Sequence, residues 1–356
     1  MKALLLTKYR HLEISDLPTP VPGPEEVLVR VAACGICGSD VHGYDGSSGR
    51  RIPPLVMGHE AAGTVAALGT AGNGLTEGDR VTFDSTVYCG QCSHCLRGQT
   101  NLCDQRRVLG VSCGDYSRAG AFAEYVAVPR HIVYRLPKSL SFRNAAMLEA
   151  VSVALHAVSL SDIVAGQTAL VIGAGMIGLL TLQALHVAGC SQIIVADVDA
   201  SRLKLAANLG ANTLIATGSE LVSKIMELTN GKGVDAVAEA VGINETVPTA
   251  IDCVSKGGTV TLIGNLSPEV TLPLQKVVTR QIRLQGSCAS AGEYPRAIEL
   301  VASGRIQVQP LISAVAPLEE GPRWFERLYA REPNLMKVIL TPGQVDSTKT
   351  ESTNAI

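Results

Sequence analysis

Ala169-Leu170-Val171-Ile172-Gly173-Ala174-Gly175-Met176-Ile177-Gly178 decides the fold of this 356-residue chain. Four apolar residues read as a buried strand, and they run straight into a G-x-G-x-x-G turn that opens a helix reaching Ala188. Gly173 permits the tight turn, Gly175 lets backbone approach a pyrophosphate, and Gly178 lets the helix pack closely on the strand. Met176 and Ile177 begin a helix whose free N–H groups and positive dipole end face the anion. Asp197 follows about 20 residues later, where an acidic side chain accepts from ribose hydroxyls. A carboxylate there repels a 2′-phosphate, so the expected cofactor is NAD rather than NADP. Arg202, one turn further, fits equally against the adenosine or in solvent. The bland alternative is a glycine turn in an unrelated α/β protein, with Asp197 as a helix cap.

Working outward, strand-like runs alternate with helix-length segments from about residue 150: Ile193–Ala196, a helix over Arg202–Leu209, then Ala236–Glu239, Thr259–Ile263 and Ile282–Gln285. Nearly continuous Val/Ile/Leu strands separated by helices indicate a parallel sheet covered on both faces. Residues 1–150 differ. Short apolar segments at the N-terminus, Val27–Ala32, Ala61–Leu68, Arg80–Phe83 and Ala123–Val128 are punctuated by turns at Pro22-Gly23-Pro24 and Glu77-Gly78-Asp79, which predicts a mostly β domain. Beyond residue 290, helices over Tyr294–Ser303 and Gly321–Tyr329 and short strands are expected to return to that first domain. The expected organisation is therefore 1–150 with 290–342, and 151–289 between them. The polar tail 343–356 is expected to be disordered.

Thirty basic and 32 acidic residues nearly balance, which argues against a broad nucleic-acid-binding face. The apolar run Thr168–Leu182 contains three glycines and falls short of the roughly 20 residues of a membrane span. The first residues lack a secretory cleavage site, so the expected location is cytoplasmic.

Ten cysteines without an export signal favour metal over disulfides. Cys89, Cys92, Cys95 and Cys103 form C-x2-C-x2-C-x7-C, and four thiolates so close can wrap one zinc in a closed, structural site. A disulfide cluster or a redox pair is the competing reading. A second set is dispersed: Cys37 in Cys37-Gly38-Ser39-Asp40, His59 and Glu60 after Gly58, and Glu149 at the domain junction. Thiolate, imidazole and carboxylate could make an open, catalytic zinc site. The same residues could equally be a core cysteine, a buried histidine and a capping glutamate.

Taken together, Cys34-Gly35-Ile36-Cys37-Gly38-Ser39-Asp40-Val41-His42, Gly58-His59-Glu60-Ala61-Ala62-Gly63, Gly78-Asp79-Arg80-Val81, the four-cysteine run, Gly120-Ala121-Phe122-Ala123-Glu124-Tyr125 and the glycine fingerprint resemble the zinc-containing medium-chain dehydrogenase/reductase family over residues 1–342. The resemblance implies a GroES-like β-barrel catalytic domain beside a Rossmann doubly wound parallel sheet, with the active cleft between them. It implies Cys37 and His59 as zinc ligands, with Glu60, Glu149 or both completing the set. Ser39 and His42 match a relay that carries the alcohol proton to solvent. Ile177, Asp197, Arg202 and the turn Ile263-Gly264-Asn265 match cofactor contacts. The implied chemistry is oxidation of a secondary alcohol to a ketone, with zinc as Lewis acid stabilising the alkoxide and hydride passing to NAD.

Met147–Val153 is similar to the matching segment of polyol, threonine and hexitol-phosphate dehydrogenases. Sorbitol dehydrogenases, however, carry Phe-Arg-Tyr where this chain has Cys288-Ala289-Ser290, and a substrate-contacting Tyr where it has Gly43. A polyol or sugar alcohol is the expected substrate. Threonine, a diol or a hexitol phosphate, or a non-catalytic cofactor-binding role, are the alternatives. A small-molecule alcohol is the expected partner, with no nucleic acid or membrane, in a homodimer or homotetramer.

Overall fold

The structure is a computed structural model that describes residues 1–71 and 74–343. The chain forms two compact units: Met1–Val87 with Arg107–Ala146 and the segment from Ile312 on, and Tyr88–Arg106 with Met147–Leu311.

In the first unit a seven-stranded sheet is built around the strand Glu26–Gly35. That strand pairs antiparallel with Glu60–Leu68 and Tyr125–Pro129, and its end pairs with Lys337–Thr341. Val27, Val29 and Val31 alternate inward, as a half-buried strand requires. The ladder sets Gly35 opposite both Glu60 and Ile339. Lys337, two residues before Ile339, therefore shares its face. A short helix, α1 (Gly38–Tyr44), leaves the end of the central strand. The expected helix over Gly321–Tyr329 is present and buries Phe325 against Tyr44 and Phe122.

The second unit holds six parallel strands: β1 (Thr168–Ile172), β2 (Gln192–Asp197), β3 (Thr213–Ala216), β4 (Val234–Glu239), β5 (Val254–Leu262) and β6 (Arg283–Gly286). Their spatial order is β3-β2-β1-β4-β5-β6, the doubly wound arrangement whose order reverses beside β1. Ile194, Val237, Val260 and their neighbours fill a common core. Helix α2 (Leu148–Ser159) packs on α3 (Met176–Val187), and α3 lies over the sheet. Leu179, Leu180, Leu182 and Leu185 of α3 are all buried, so this helix is apolar nearly all round because it has protein on both sides. Helix α4 (Ala200–Asn208) follows β2 and is capped by Asp199, which accepts from the Ser201 and Arg202 N–H groups.

Two segments expected with the first domain lie in the second compact unit. Helix α5 (Tyr294–Ala302) packs on α2. The four-cysteine lobe is held through Asn101, whose Nδ2 donates to Cys288 O at 2.7 Å and lies 3.2 Å from His156 Nε2. Compactness thus groups these segments differently from the change in composition. The tail expected to be disordered lies, beyond Gly343, outside the described residues. No described helix is long and apolar enough to cross a membrane.

Candidate functional site

Cys37 stands at the N-cap of α1, and its backbone N–H donates to Asp40 Oδ2 at 3.3 Å. His59 immediately precedes the neighbouring strand, which Glu60 opens. Donor atoms of Cys37, His59 and Glu60 all lie within 4.8 Å of one another. His59 and Glu60 are 5% and 1% exposed, so neither is a solvated side chain. Glu60 gives Oε2 to the Lys337 ammonium, which also donates to Ile36 O at 3.1 Å, while Glu60 Oε1 is buried without a hydrogen-bond partner. A Cβ on Gly35 would lie 2.4 Å from Glu60 Oε2, so this carboxylate needs glycine there.

Behind His59 stands Asp40, fully buried, with Oδ1 3.4 Å from Nδ1 of the imidazole. Burial acts to raise the Asp40 pKa, but His59, Arg51 and the Cys37 N–H bring it down to about 2. Burial likewise acts to lower that of His59, and Asp40 and Cys37 override it, holding the ring's affinity for a proton well above the ordinary range. The convergence of a thiol, an imidazole and the buried, unpartnered Glu60 Oε1 is the donor chemistry that zinc takes. A carboxylate behind a ligating imidazole is the usual outer support of such a site. The donor set therefore fits zinc.

Of the four donors expected for this site, the structure brings three together. Glu149 is half-buried on the first turn of α2, in the second unit. Ser39 and His42 lie three apart on α1, both exposed and on neighbouring positions of one face. Tyr44, adjacent to Gly43, is no substitute for the missing substrate tyrosine: it is 5% exposed and its hydroxyl donates to Arg10 O at 2.8 Å.

The four-cysteine run also converges, with Cys89, Cys92, Cys95 and Cys103 sulfurs within 4.8 Å of one another. All ten cysteines are free thiols. N–H groups of Gln91 and Cys92 lower the Cys89 pKa, and those of Cys95 and Asp104 bring Cys92 down to about 6. Burial and the neighbouring Cys92 push Cys95 up to about 12. Four thiolates are compatible here only around a cation, so this lobe also fits zinc.

The glycine fingerprint behaves as its chemistry requires. Gly173 has φ +96°, in the left-handed region. A Cβ on Gly178 would sit 1.8 Å from Gly173 O, whereas one on Gly175 would meet nothing within 4 Å. Close packing thus demands one glycine, and open space beside the helix N-terminus surrounds the other. Asp197 ends β2 and accepts from Ala174 N at 2.5 Å and Asp199 N at 2.8 Å. Arg202 lies on the first turn of α4, its Nε 3.8 Å from Asp199. Ile263-Gly264-Asn265 follows β5, with Ile263 N and Gly264 N donating to Glu239 O, and Gly264 pressed against the Val241-Gly242 backbone. All of these residues stand at the carboxyl ends of parallel strands, next to the order reversal where dinucleotides bind.

Residues 23–138 match the alcohol dehydrogenase GroES-like domain model, and 176–303 the zinc-binding dehydrogenase model. Sorbitol dehydrogenase of Bacillus subtilis (strain 168) is 33% identical over 349 residues, 97% of this chain and 98% of the relative. The chain belongs to the zinc-containing medium-chain dehydrogenase/reductase family. As a member it is an oxidoreductase with a GroES-like domain and a Rossmann-type sheet. L-idonate 5-dehydrogenase of Vitis vinifera is 34% identical over 87% of this chain and 86% of its own. A zinc-binding dehydrogenase of Sinorhizobium meliloti 1021, solved with NADP, superposes with TM-score 0.86 at 33% identity, over 96% of this chain and 99% of that one.

Three residues of the first site escaped the sequence reading. Asp40 lies in the Cys37-Gly38-Ser39-Asp40 motif, where spacing alone assigns it no task. Lys337 heads an apolar strand and follows Leu335-Met336, which is a legible signal. Arg51 sits in a polar loop that offers none.

Proposed function

We propose that this protein oxidises a secondary hydroxyl of a polyol or sugar alcohol to the ketone, with NAD as acceptor. The observation that carries the reading is the buried convergence of Cys37, His59 and Glu60, backed by Asp40, in a chain of this family. Cys37, His59 and Glu60 would hold the catalytic zinc, with Glu149 proposed as a further ligand on the resemblance alone. Cys89, Cys92, Cys95 and Cys103 would hold the structural one. Bound zinc supplies Lewis acidity at the substrate oxygen, and bound NAD accepts hydride.

The chain's own groups do the rest. Asp40 fixes the His59 ring. The Ser39 hydroxyl accepts the alcohol proton and passes its own toward His42 and solvent. Gly173, Gly175 and Gly178 open the pyrophosphate cradle at the start of α3, Met176 and Ile177 beginning that helix. Asp197 and Arg202 flank the adenosine side, and Ile263-Gly264-Asn265 supplies a backbone edge for the nicotinamide half. The Asp197 carboxylate favours NAD over the NADP seen in the Sinorhizobium relative. The relatives that act on sorbitol and L-idonate support a hydroxylated carbon chain as substrate. We also propose a homodimer or homotetramer working in the cytoplasm.

The test is NADH formation by zinc-loaded protein against polyols, hexitol phosphates, diols and threonine, with NADP in parallel. Turnover of a polyol with NAD, lost in Cys37→Ala while one zinc stays in the lobe, is expected. Turnover confined to threonine or a diol would overturn the substrate class, and better turnover with NADP would overturn the cofactor assignment.

A further inference from the structure

Arg51 is a charged side chain with 5% of its surface exposed. Its Nη2 lies 3.2 Å from Asp40 Oδ1 and 3.3 Å from Ser39 Oγ. The Asp40 oxygen it touches is the one 3.4 Å from His59 Nδ1. Its Nη1 donates to Arg50 O at 3.2 Å, while Nε is buried without a hydrogen-bond partner. The stem occupies the room next to Gly43, where a Cβ would come within 2.0 Å of Arg51 Cγ. The absence of a side chain at Gly43 is thus what admits the arginine. Burying a guanidinium is costly, and Asp40 already has the Cys37 N–H and the imidazole. Its contact with Ser39 gives the arginine a second task.

Resting on the dehydrogenase reading above, we propose that Arg51 is a positioning residue for the proton path, orienting the Ser39 hydroxyl while tying it to the carboxylate behind His59. A hydroxyl has two lone pairs and one proton. The guanidinium never deprotonates, so it permanently occupies one lone pair of Ser39 as a donor. Ser39 keeps one lone pair to accept the alcohol proton and one proton to hand on. As the alcohol O–H breaks and a new O–H forms on Ser39, the original Ser39 proton leaves toward His42, and Arg51 is unchanged. Lysine would keep the positive charge, but its ammonium on a flexible stem lacks the rigid planar fork.

The experiment is a double-mutant cycle of Ser39→Ala and Arg51→Lys in the zinc-loaded protein, with zinc content and melting temperature followed for each variant. Ser39→Ala is expected to lower kcat about a hundredfold and Arg51→Lys about tenfold, both with the KM for NAD unchanged. In the Ser39→Ala background, Arg51→Lys is expected to change kcat by less than about twofold, because the two act through one group. Arg51→Met, which leaves Asp40 without its guanidinium, should release the open-site zinc to a chelator about tenfold faster or more, with lobe zinc unaffected. Losses that multiply in the cycle, or zinc release from Arg51→Met at the parent rate, would overturn the proposal. A parent that turns over no alcohol would instead overturn the dehydrogenase reading and the inference with it.

Discussion

At the scale of single residues, the second and third glycines of the fingerprint make opposite predictions. A methyl at Gly178 would collide with the Gly173 carbonyl, whereas one at Gly175 would enter open space. Gly178→Ala should therefore cost several °C of melting temperature, since a strained core contact is worth about 1–3 kcal/mol. Gly175→Ala should melt like the parent yet lose NADH affinity in a fluorescence titration. Equal melting of both variants would contradict the packing described. Lys337 gives a second test. It is the cation beside the buried Glu60 carboxylate, and removing one partner of a buried pair costs about 3–5 kcal/mol. Lys337→Met should melt far below the parent when zinc-free and recover part of the difference when zinc is added, because a second cation then faces Glu60. A zinc-independent loss would place Glu60 outside the metal site. Cys37 and His59 are legible from their motifs, whereas Lys337, a lone charge heading an apolar strand, was passed over. Arg51 is not legible, because only the fold shows that Gly43 makes room for it.

At the scale of elements, α2, α5 and the cysteine lobe share one polar junction. His156 Nε2 faces the Asn101 amide, so its Nδ1–H donates to Glu293 Oε1 at 2.8 Å, and Glu293 Oε2 accepts from Ala291 N at 2.5 Å. Burial acts to raise the Glu293 pKa, but these donors bring it below its ordinary 4.5. A carboxylate whose folded pKa is depressed stabilises the fold above its unfolded value and loses that contribution as pH falls through the folded one. The melting-temperature gap between the parent and Glu293→Gln should thus be constant above pH 4.5 and close as pH drops below it. A gap that widened in acid would mean the carboxylate is not held as an anion. Legibility follows the same divide. Strands β1 and β2 are buried nearly throughout and read as unbroken apolar runs, Ala169–Ile172 and Ile193–Ala196, whereas β5 shows only its second half because Ser255-Lys256-Gly257-Gly258 breaks the first. Pairs such as Leu55–Val56 and Thr86–Val87 are too short for any period to show. Helix α1 carries two glycines and a β-branched valine in seven residues, a composition that does not announce a helix. The Asp40 cap supplies what propensity does not.

At the scale of the whole molecule, β6 is the edge of the parallel sheet, and among the described residues no strand pairs with its free side. The short helix before it, Leu274–Thr279, leaves Leu274 65% and Val278 68% exposed, four residues apart on one face, with Leu272 nearby at 36%. An open edge beside an apolar face invites pairing with another chain, and a second copy related by a twofold axis offers the same surface in return. The homo-oligomer proposed above is therefore expected to form through β6 and this helix. Light scattering should give at least twice the 37.2 kDa chain mass for the parent and a single chain mass for Val278→Glu, because a carboxylate in that contact would be buried without a partner. Substitution on the opposite edge, Leu214→Glu on β3, should leave the oligomer intact, so loss of assembly in both variants would point to general destabilisation and not to this interface. A parent that scatters as a single chain would overturn the homo-oligomer and leave this apolar face exposed to solvent.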